Sequence, residues 1–232
     1  HQGRLCRGRR SDVTNDGTIT ATGEHGIGVF AQSQGAEDNG IVVVNVNSAV
    51  TRGTGAQGTG IMIAGGKVAT GTAPGNALNV ASGATVGGWG GTAVIYQGDS
   101  NSATYSGLAV NNAGTISGNI SGYYLDGSVI SGLGGAAFAL DAGGGSAAVT
   151  VNNQKGGVLV DASSYGADVI NAGSLIVGKV DVPDTLEIAG AFTQTSTGIT
   201  TAAVDFFGAV GDLLKVSGPT TLDGALEIVP LT

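Results

Sequence analysis

The chain has 232 residues, of which 44 are glycine, about 19% against an average of about 7% in ordinary proteins. Charged residues make up only 11%, and the formal net charge is −8. Glycine does not recur at every third position, which excludes collagen. A single cysteine excludes a disulfide framework, and the low charge content excludes a charge-rich disordered chain or a coiled coil.

The charges divide the chain into a short basic start and a long acidic remainder. Because Arg4, Arg7, Arg9 and Arg10 precede the first acidic residue, residues 11–232 hold five basic and 17 acidic side chains. A body so poor in basic side chains cannot neutralise a phosphate backbone or an anionic membrane surface, so we exclude nucleic acid as a partner. We predict that residues 1–12 form a basic tail, disordered or foreign to the fold, in which Cys6 has no structural role.

Short runs that alternate apolar and polar residues recur along the chain and predict β-strands. In chain order they are Val44–Val46, Leu78–Val80, Val149–Val151, Val180–Val182, Leu186–Ile188 and Leu226–Ile228. Only residues 201–216 could place an apolar stripe on a helix, and Gly208 and Gly211 within that stretch favour strand there too.

Two kinds of half-unit organise these runs into a degenerate repeat. The first is a polar turn followed by a strand, at residues 15–19, 81–86, 111–116 and 171–176. The second starts with a glycine and enters a small-apolar strand; it recurs at uneven intervals, beginning at Gly26, Gly60, Gly91, Gly135 and Gly166. A solenoid tolerates this scatter because insertions in its turns project outward. We therefore predict an all-β chain forming a single parallel β-helix. The alternative is a two-domain β-sandwich, which needs Asn-Gly hairpin signals that are rare in this chain.

The C-terminal stretch resembles a known family. Residues 211–218 read Gly-Asp-Leu-Leu-Lys-Val-Ser-Gly, and residues 221–228 read Thr-Leu-Asp-Gly-Ala-Leu-Glu-Ile. With the repeated turns before them, they resemble the end of the passenger domains that Gram-negative autotransporters (type V secretion) export.

This resemblance implies a right-handed β-helix over residues 13–185 and a C-terminal cap over residues 186–232 that assists folding after export. It also implies that a linker helix and a membrane β-barrel follow, and that the barrel provides the only contact with the outer membrane. The implied function is adhesion, autoaggregation or colonisation, in virulence, by an adhesin that is exposed on the cell surface or secreted.

Motifs typical of cofactor and catalytic sites lack the context that their chemistry requires. Gly53–Gly58 matches a dinucleotide fingerprint but leads into a predicted strand, and Gly173–Val180 ends in Val where a phosphate loop needs Ser or Thr. Gly98–Ser100 resembles a protease nucleophile motif, but we predict a polar turn over residues 97–102 because a suitable His base is missing. No acidic series has the spacing of a calcium loop. We expect no cofactor, no bound metal and no enzymatic activity.

The alternative function is a β-helix enzyme that hydrolyses or eliminates polysaccharides. Glycoside hydrolysis needs two carboxylates at a set separation, and the candidates are Asp126, Asp141, Asp161, Asp168 and Asp181. A polyuronate lyase also needs basic residues, which are scarce after residue 10.

Three aromatic residues are candidates for contact with a ligand or a partner protein: Trp89, Tyr123 and Tyr124. We expect them either to lie exposed or to pack over an adjacent coil. The partner would be a host surface glycan, a host protein or a second passenger.

Overall fold

A computed structural model describes residues 10–33, 40–53, 58–66, 75–99, 107–125, 148–178 and 182–231, apart from the side chains of residues 88–90, 99, 123–125 and 148. Every extended regular element in these residues is a β-strand, which confirms the predicted all-β class. None of the described residues belongs to a helix that is long and apolar enough to cross a membrane.

The described residues form 22 strands. They are β1 (Ser11–Asn15), β2 (Ile19–Thr20), β3 (Ile27–Ser33), β4 (Val42–Val46), β5 (Ala49–Thr51), β6 (Thr59–Gly65), β7 (Asn76–Val80), β8 (Thr85–Asp99), β9 (Gly107–Asn112), β10 (Thr115–Leu125), β11 (Ala148–Asn153), β12 (Val158–Val160), β13 (Ser164–Tyr165), β14 (Asp168–Asn171), β15 (Ser174–Ile176), β16 (Thr185–Ile188), β17 (Phe192–Gln194), β18 (Ile199–Asp205), β19 (Val210–Gly211), β20 (Leu213–Val216), β21 (Thr220–Thr221) and β22 (Ala225–Pro230).

These strands pair into two sheets. The first sheet has eight strands in the order β1, β4, β7, β9, β11, β14, β17 and β21. The second sheet has 14 strands and contains two runs of pairs. One run joins β2, β5, β8, β10, β12, β15, β18 and β22, and the other joins β3, β6, β8, β10, β13, β16 and β20. The long strands β8 and β10 belong to both runs.

Pairing is parallel along all three runs, and each strand of the first sheet pairs with its counterpart one repeat later. The connections between partners differ in length, since Asn112 pairs with Asn153 and Asn153 pairs with the much nearer Asn171. A hairpin-linked sandwich predicts antiparallel neighbours, whereas only β18 and β19 pair in that direction among the described strands. The described chain therefore forms parallel sheets, as the repeat indicates.

The core consists of three columns of apolar side chains, one for each run, because parallel register places equivalent residues directly above one another. The columns are Val44, Leu78, Val110, Val151, Val169 and Phe192 in the first sheet; Val50, Val86, Ile116, Leu159 and Leu175 in the second run; and Ile61, Val94, Ile120, Tyr165 and Ile188 in the third. All of them are buried and belong to one hydrophobic cluster.

Glycine is abundant partly because successive turns stack in contact. The backbone N–H of Ser174 donates to the carbonyl of Gly157 at 2.8 Å, which holds one turn against the next. A Cβ atom on Gly173 would collide with that same carbonyl oxygen. The side chain is therefore absent because the turns approach each other closely.

A row of amides is buried where the first sheet ends. The Nδ2 of Asn112 donates to the Oδ1 of Asn153 at 2.8 Å, and the Nδ2 of Asn153 donates to the Oδ1 of Asn171 at 2.8 Å. Gln194 occupies the next position of the same register. Asn153 also donates to the carbonyls of Gly157 and Ser174 at 3.3 and 3.0 Å. This row satisfies polar backbone groups of the turns that leave the sheet.

Two local predictions are corrected by the structure. The strand β8 continues to Asp99, so Gln97–Asp99 belong to a strand where we predicted a polar turn. The repeat groups Gly166 with Gly26, Gly60 and Gly91 as starts of equivalent strands. Gly166 instead precedes β14 in the first sheet, whereas the strands at the other three glycines pair in the second sheet. Residues 201–216 form strands and turns, as their glycines predict.

Two fully buried tyrosines differ in how their hydroxyl groups are satisfied. The hydroxyl of Tyr96 donates to the carbonyl of Gly65 at 3.1 Å and accepts from the Nδ2 of Asn76 at 3.2 Å. The hydroxyl of Tyr165 has no hydrogen-bond partner among the described residues. Burial, together with the Asp161 carboxylate, raises the pKa of Tyr165 above its ordinary value.

We expect Gly173→Ala to destabilise the fold by about 2 kcal/mol, because its Cβ must displace a stacked turn. Gly17→Ala is the matched control, since a Cβ there meets nothing within 4 Å. Urea unfolding monitored by circular dichroism measures both variants. Equal losses of stability would contradict the close approach of the turns.

We expect Tyr165→Phe to leave stability unchanged or raise it by about 1 kcal/mol at neutral pH, because it removes a buried hydroxyl without a partner. Tyr96→Phe should instead cost about 1–2 kcal/mol, because it removes two hydrogen bonds of a buried hydroxyl, one to the Gly65 carbonyl and one from the Nδ2 of Asn76. Urea unfolding at neutral pH compares the two variants, and an equal loss in both would contradict the difference between the two hydroxyl groups.

The same pair predicts a pH effect. Because the folded pKa of Tyr165 exceeds the unfolded value of about 10, the stability that depends on the neutral hydroxyl is lost as the pH rises above that value. Tyr165→Phe should therefore move the alkaline unfolding midpoint to higher pH. A midpoint unchanged from that of the wild-type chain would show that Tyr165 ionises freely.

Candidate functional site

Four asparagines form a continuous hydrogen-bonded row on the outer face of the first sheet. The Nδ2 of Asn79 donates to the Oδ1 of Asn45 at 2.9 Å, that of Asn111 to Asn79 at 2.9 Å, and that of Asn152 to Asn111 at 3.1 Å. We call these four residues the asparagine ladder. Its members come from four successive strands, β4, β7, β9 and β11.

Strand geometry places these amides outward. Asn45 lies between the buried residues Val44 and Val46, and Asn79 lies between Leu78 and Val80 in the same way. Successive side chains of a strand point to opposite faces, so the amides face away from the core. Parallel register aligns them at a strand spacing of about 4.8 Å, which is short enough for an amide to reach the next one. All four asparagines are half-buried.

A shallow open groove of about 460 Å³ runs beside the asparagine ladder. Its described lining consists of Thr14, Asn45, Asn47, Asn79, Val80, Ala81, Asn111, Ala113 and Gln154. None of these lining residues is charged. The groove therefore combines amide groups with methyl groups, and it crosses several strands rather than following one.

A negative charge lies beside this groove. The Oδ1 of Asp16 accepts a hydrogen bond from the Nδ2 of Asn47, a lining residue, at 2.7 Å. A carboxylate at this position repels anionic ligands, and none of the described lining residues is a cation. The arrangement can accept a neutral polar ligand through hydrogen bonds.

The described carboxylates of the enzyme alternative are engaged in joining strands. The Oδ2 of Asp161 accepts from the hydroxyl of Ser117 at 2.9 Å, and the Oδ1 of Asp168 accepts from the backbone N–H of Ala191 at 2.7 Å. Asp126, Asp141 and Asp181 lie outside the described residues. Within the described parts of the chain, no three His, Cys, Asp or Glu residues are grouped so that they could hold a metal ion.

The aromatic candidates stay predictions. The backbone of Trp89 lies in β8 and those of Tyr123 and Tyr124 lie in β10, but their side chains lie outside the part that the structure describes. The asparagine ladder was not predicted. Its signal is present in the sequence, since an amide occupies the polar position of Val44–Val46 and of Leu78–Val80, and recurs in Val110-Asn111 and Val151-Asn152.

The last strands form a second surface, which is apolar and open. No residue between Phe206 and Leu231 is buried. A groove of about 680 Å³ there is lined by apolar side chains such as Phe192, Leu214 and Ile228. Within the described chain, β22 pairs only with β18, so one edge of β22 presents unpaired backbone groups.

Asp212 holds this last part of the chain together. Its Oδ1 accepts from the backbone N–H of Asp184 at 2.9 Å, and its Oδ2 accepts from the backbone N–H of Ala203 at 2.6 Å. Its own N–H donates to the carbonyl of Ala203 at 2.8 Å. The Gly-Asp pair of the C-terminal motif therefore has a structural role, since this carboxylate joins two other segments of the chain to its own.

No protein-family model, curated protein or solved structure matches the chain. The resemblance to autotransporter passengers therefore stays a prediction.

We expect Asp212→Ala to destabilise the fold by about 1–3 kcal/mol, because two backbone N–H groups lose their acceptor. Glu227→Ala is the matched control, since that exposed carboxylate accepts one long hydrogen bond of 3.3 Å from Thr201. Thermal unfolding of both variants measures the difference. A similar small loss in the two variants would show that Asp212 does not join these segments.

Proposed function

We propose that the chain is a single right-handed parallel β-helix. Three observations support a single helix: the same three runs recur, pairing within them is parallel, and one hydrophobic cluster extends from Val29 to Phe192. Right-handedness is supported by a general rule, because connections between parallel strands of one sheet are right-handed in about 98% of cases.

We infer that this β-helix is a non-catalytic binding module of the autotransporter passenger type, displayed on the surface of a Gram-negative bacterium or secreted from it. The observation that carries the inference is the asparagine ladder beside its uncharged groove, a regular array of hydrogen-bonding groups on the outer face of a parallel sheet. The function would be adhesion, autoaggregation or colonisation, and the partners would be host surface glycans or proteins, or other copies of the chain.

The C-terminal strands would assist folding after export. The role of Asp212 supports this assignment, because its carboxylate fixes Asp184, Ala203 and its own segment of the chain in one arrangement. Contact with the outer membrane would depend on a β-barrel belonging to the same protein. Both statements rest on the resemblance of residues 211–228 to the end of autotransporter passengers.

The experiment displays the chain on non-adherent bacteria through a heterologous outer-membrane anchor. We expect attachment to epithelial cells, or aggregation of the bacteria, above that of bacteria carrying the anchor alone. An unrelated β-sheet protein displayed at the same density controls for nonspecific adhesion.

Behaviour equal to this control in both assays would overturn the proposed function. The enzyme alternative is tested on the purified chain by the release of reducing ends from neutral and acidic polysaccharides. Such release, abolished by Asp161→Asn or Asp168→Asn, would replace the binding proposal with a catalytic one.

A further inference from the structure

We propose that the asparagine ladder and its groove bind a neutral polysaccharide chain that lies across β4, β7 and β9. This inference rests on the proposed function, because it names the ligand class that the binding module would recognise.

The asparagine ladder retains unused hydrogen-bonding capacity. A primary amide offers two N–H donors and two lone pairs. Asn79 and Asn111 each use one donor and one lone pair within the ladder. Each therefore has a second N–H and a second lone pair that the ladder does not use, and both residues line the groove. Two neighbouring hydroxyl groups of a sugar can bond to one amide, since one hydroxyl accepts from its N–H and the other donates to its carbonyl oxygen.

The charges around the groove select against acidic ligands. Its described lining is uncharged, and Asp16 contacts Asn47 at its rim. Residues 11–232 hold five basic and 17 acidic side chains. A polyuronate or a sulfated glycan would be repelled by Asp16 and would find no cation among the described lining residues. A neutral glycan has no such penalty.

The spacing of the ladder fits an extended glycan. Four strands about 4.8 Å apart give a ladder roughly 14 Å long. One sugar in an extended β-1,4-linked chain has a length close to the strand spacing, so successive sugars would meet successive amides. The methyl groups of Ala81 and Ala113 line the same groove and can contact the apolar faces of the sugar rings.

A glycan fits this face better than an extended peptide does. Peptides that add to a sheet use the free backbone groups of an edge strand. The strands β4, β7 and β9 are paired on both sides, so they offer side chains alone. The amides are already fixed by one another, which lowers the entropic cost of ordering them on binding.

The test combines a glycan array with calorimetry on the intact chain. The probes are cellohexaose, mannohexaose, xylohexaose and laminarihexaose as neutral glycans, with polygalacturonate and heparin as anionic ones. We expect binding to at least one neutral glycan, with an affinity that changes little between low and high salt. The double variant Asn79→Ala/Asn111→Ala should bind that glycan at least about tenfold more weakly.

Thr150→Ala is the matched control. This half-buried residue shares β11 with Asn152 of the asparagine ladder but does not line the groove. The Thr150→Ala variant should therefore bind the glycan with the affinity of the wild-type chain. Unchanged circular dichroism and melting temperature would show that the ladder variants remain folded.

The outcomes separate this inference from the function on which it rests. If displayed cells adhere but no neutral glycan binds, or if the double variant binds as the wild type does, the ladder proposal is wrong and the binding module stands. Binding to the anionic probes alone also overturns it. If displayed cells neither adhere nor aggregate, the proposed function itself fails.

Discussion

Parallel pairing between repeats is the constraint on which the rest of this structure depends. It places equivalent residues of successive repeats about one strand spacing apart, so the side chains at each position of the repeat stack into a column. A column accepts only side chains that can pack against, or hydrogen-bond to, the equivalent side chain of the next repeat. Val44, Leu78 and Val110 satisfy this by apolar packing, and Asn112 and Asn153 do so by hydrogen bonds between their amides. In the turns, the stacked backbones leave no room for a Cβ. The turn that contains Gly157 therefore packs against a turn that has Gly173 at the point of contact. Part of the high glycine content follows from this geometry.

Buried polar side chains in this core differ in whether they have hydrogen-bond partners. Asn153 is almost fully buried, and its hydrogen bonds connect it to the amides above and below and to two carbonyls. Gln97 is equally buried, and neither of its amide atoms has a partner among the described residues. An amide in a continuous row is satisfied by its neighbours, whereas an isolated amide or hydroxyl depends on what the next strand supplies. Stability in this fold therefore depends on the column to which a residue belongs, as well as on its burial.

The sequence predicts the strands well and the repeat less well, for physical reasons. Alternation in Leu78–Val80 and Leu186–Ile188 is a local property, and both segments are strands. Register is not local, because it pairs strands of successive repeats and the connections between those strands differ in length. The glycines within residues 87–91 are typical of a turn, yet these residues belong to β8. Gly87 is needed there because it adopts a positive φ of 103° and lies against the carbonyl of Ser117. The asparagine ladder appears only once register is known, because each of its members belongs to a different repeat and lies far from the next in sequence.

The two amide rows show how structural and functional uses of the same residue type can be separated. Asn111 and Asn112 are neighbours in the chain, yet they belong to different rows because their side chains point to opposite faces. Asn112 is fully buried, and its amide engages Asn153, the carbonyl of Val158 and the N–H of Gly114. Asn111 is half-buried and bonds only along its ladder in the described contacts. Replacing Asn112 removes bonds that hold the turns, whereas replacing Asn111 leaves them in place. An outer row that is ordered but only partly used is available to a ligand, and this asymmetry between adjacent asparagines favours recognition on the outer face of the first sheet.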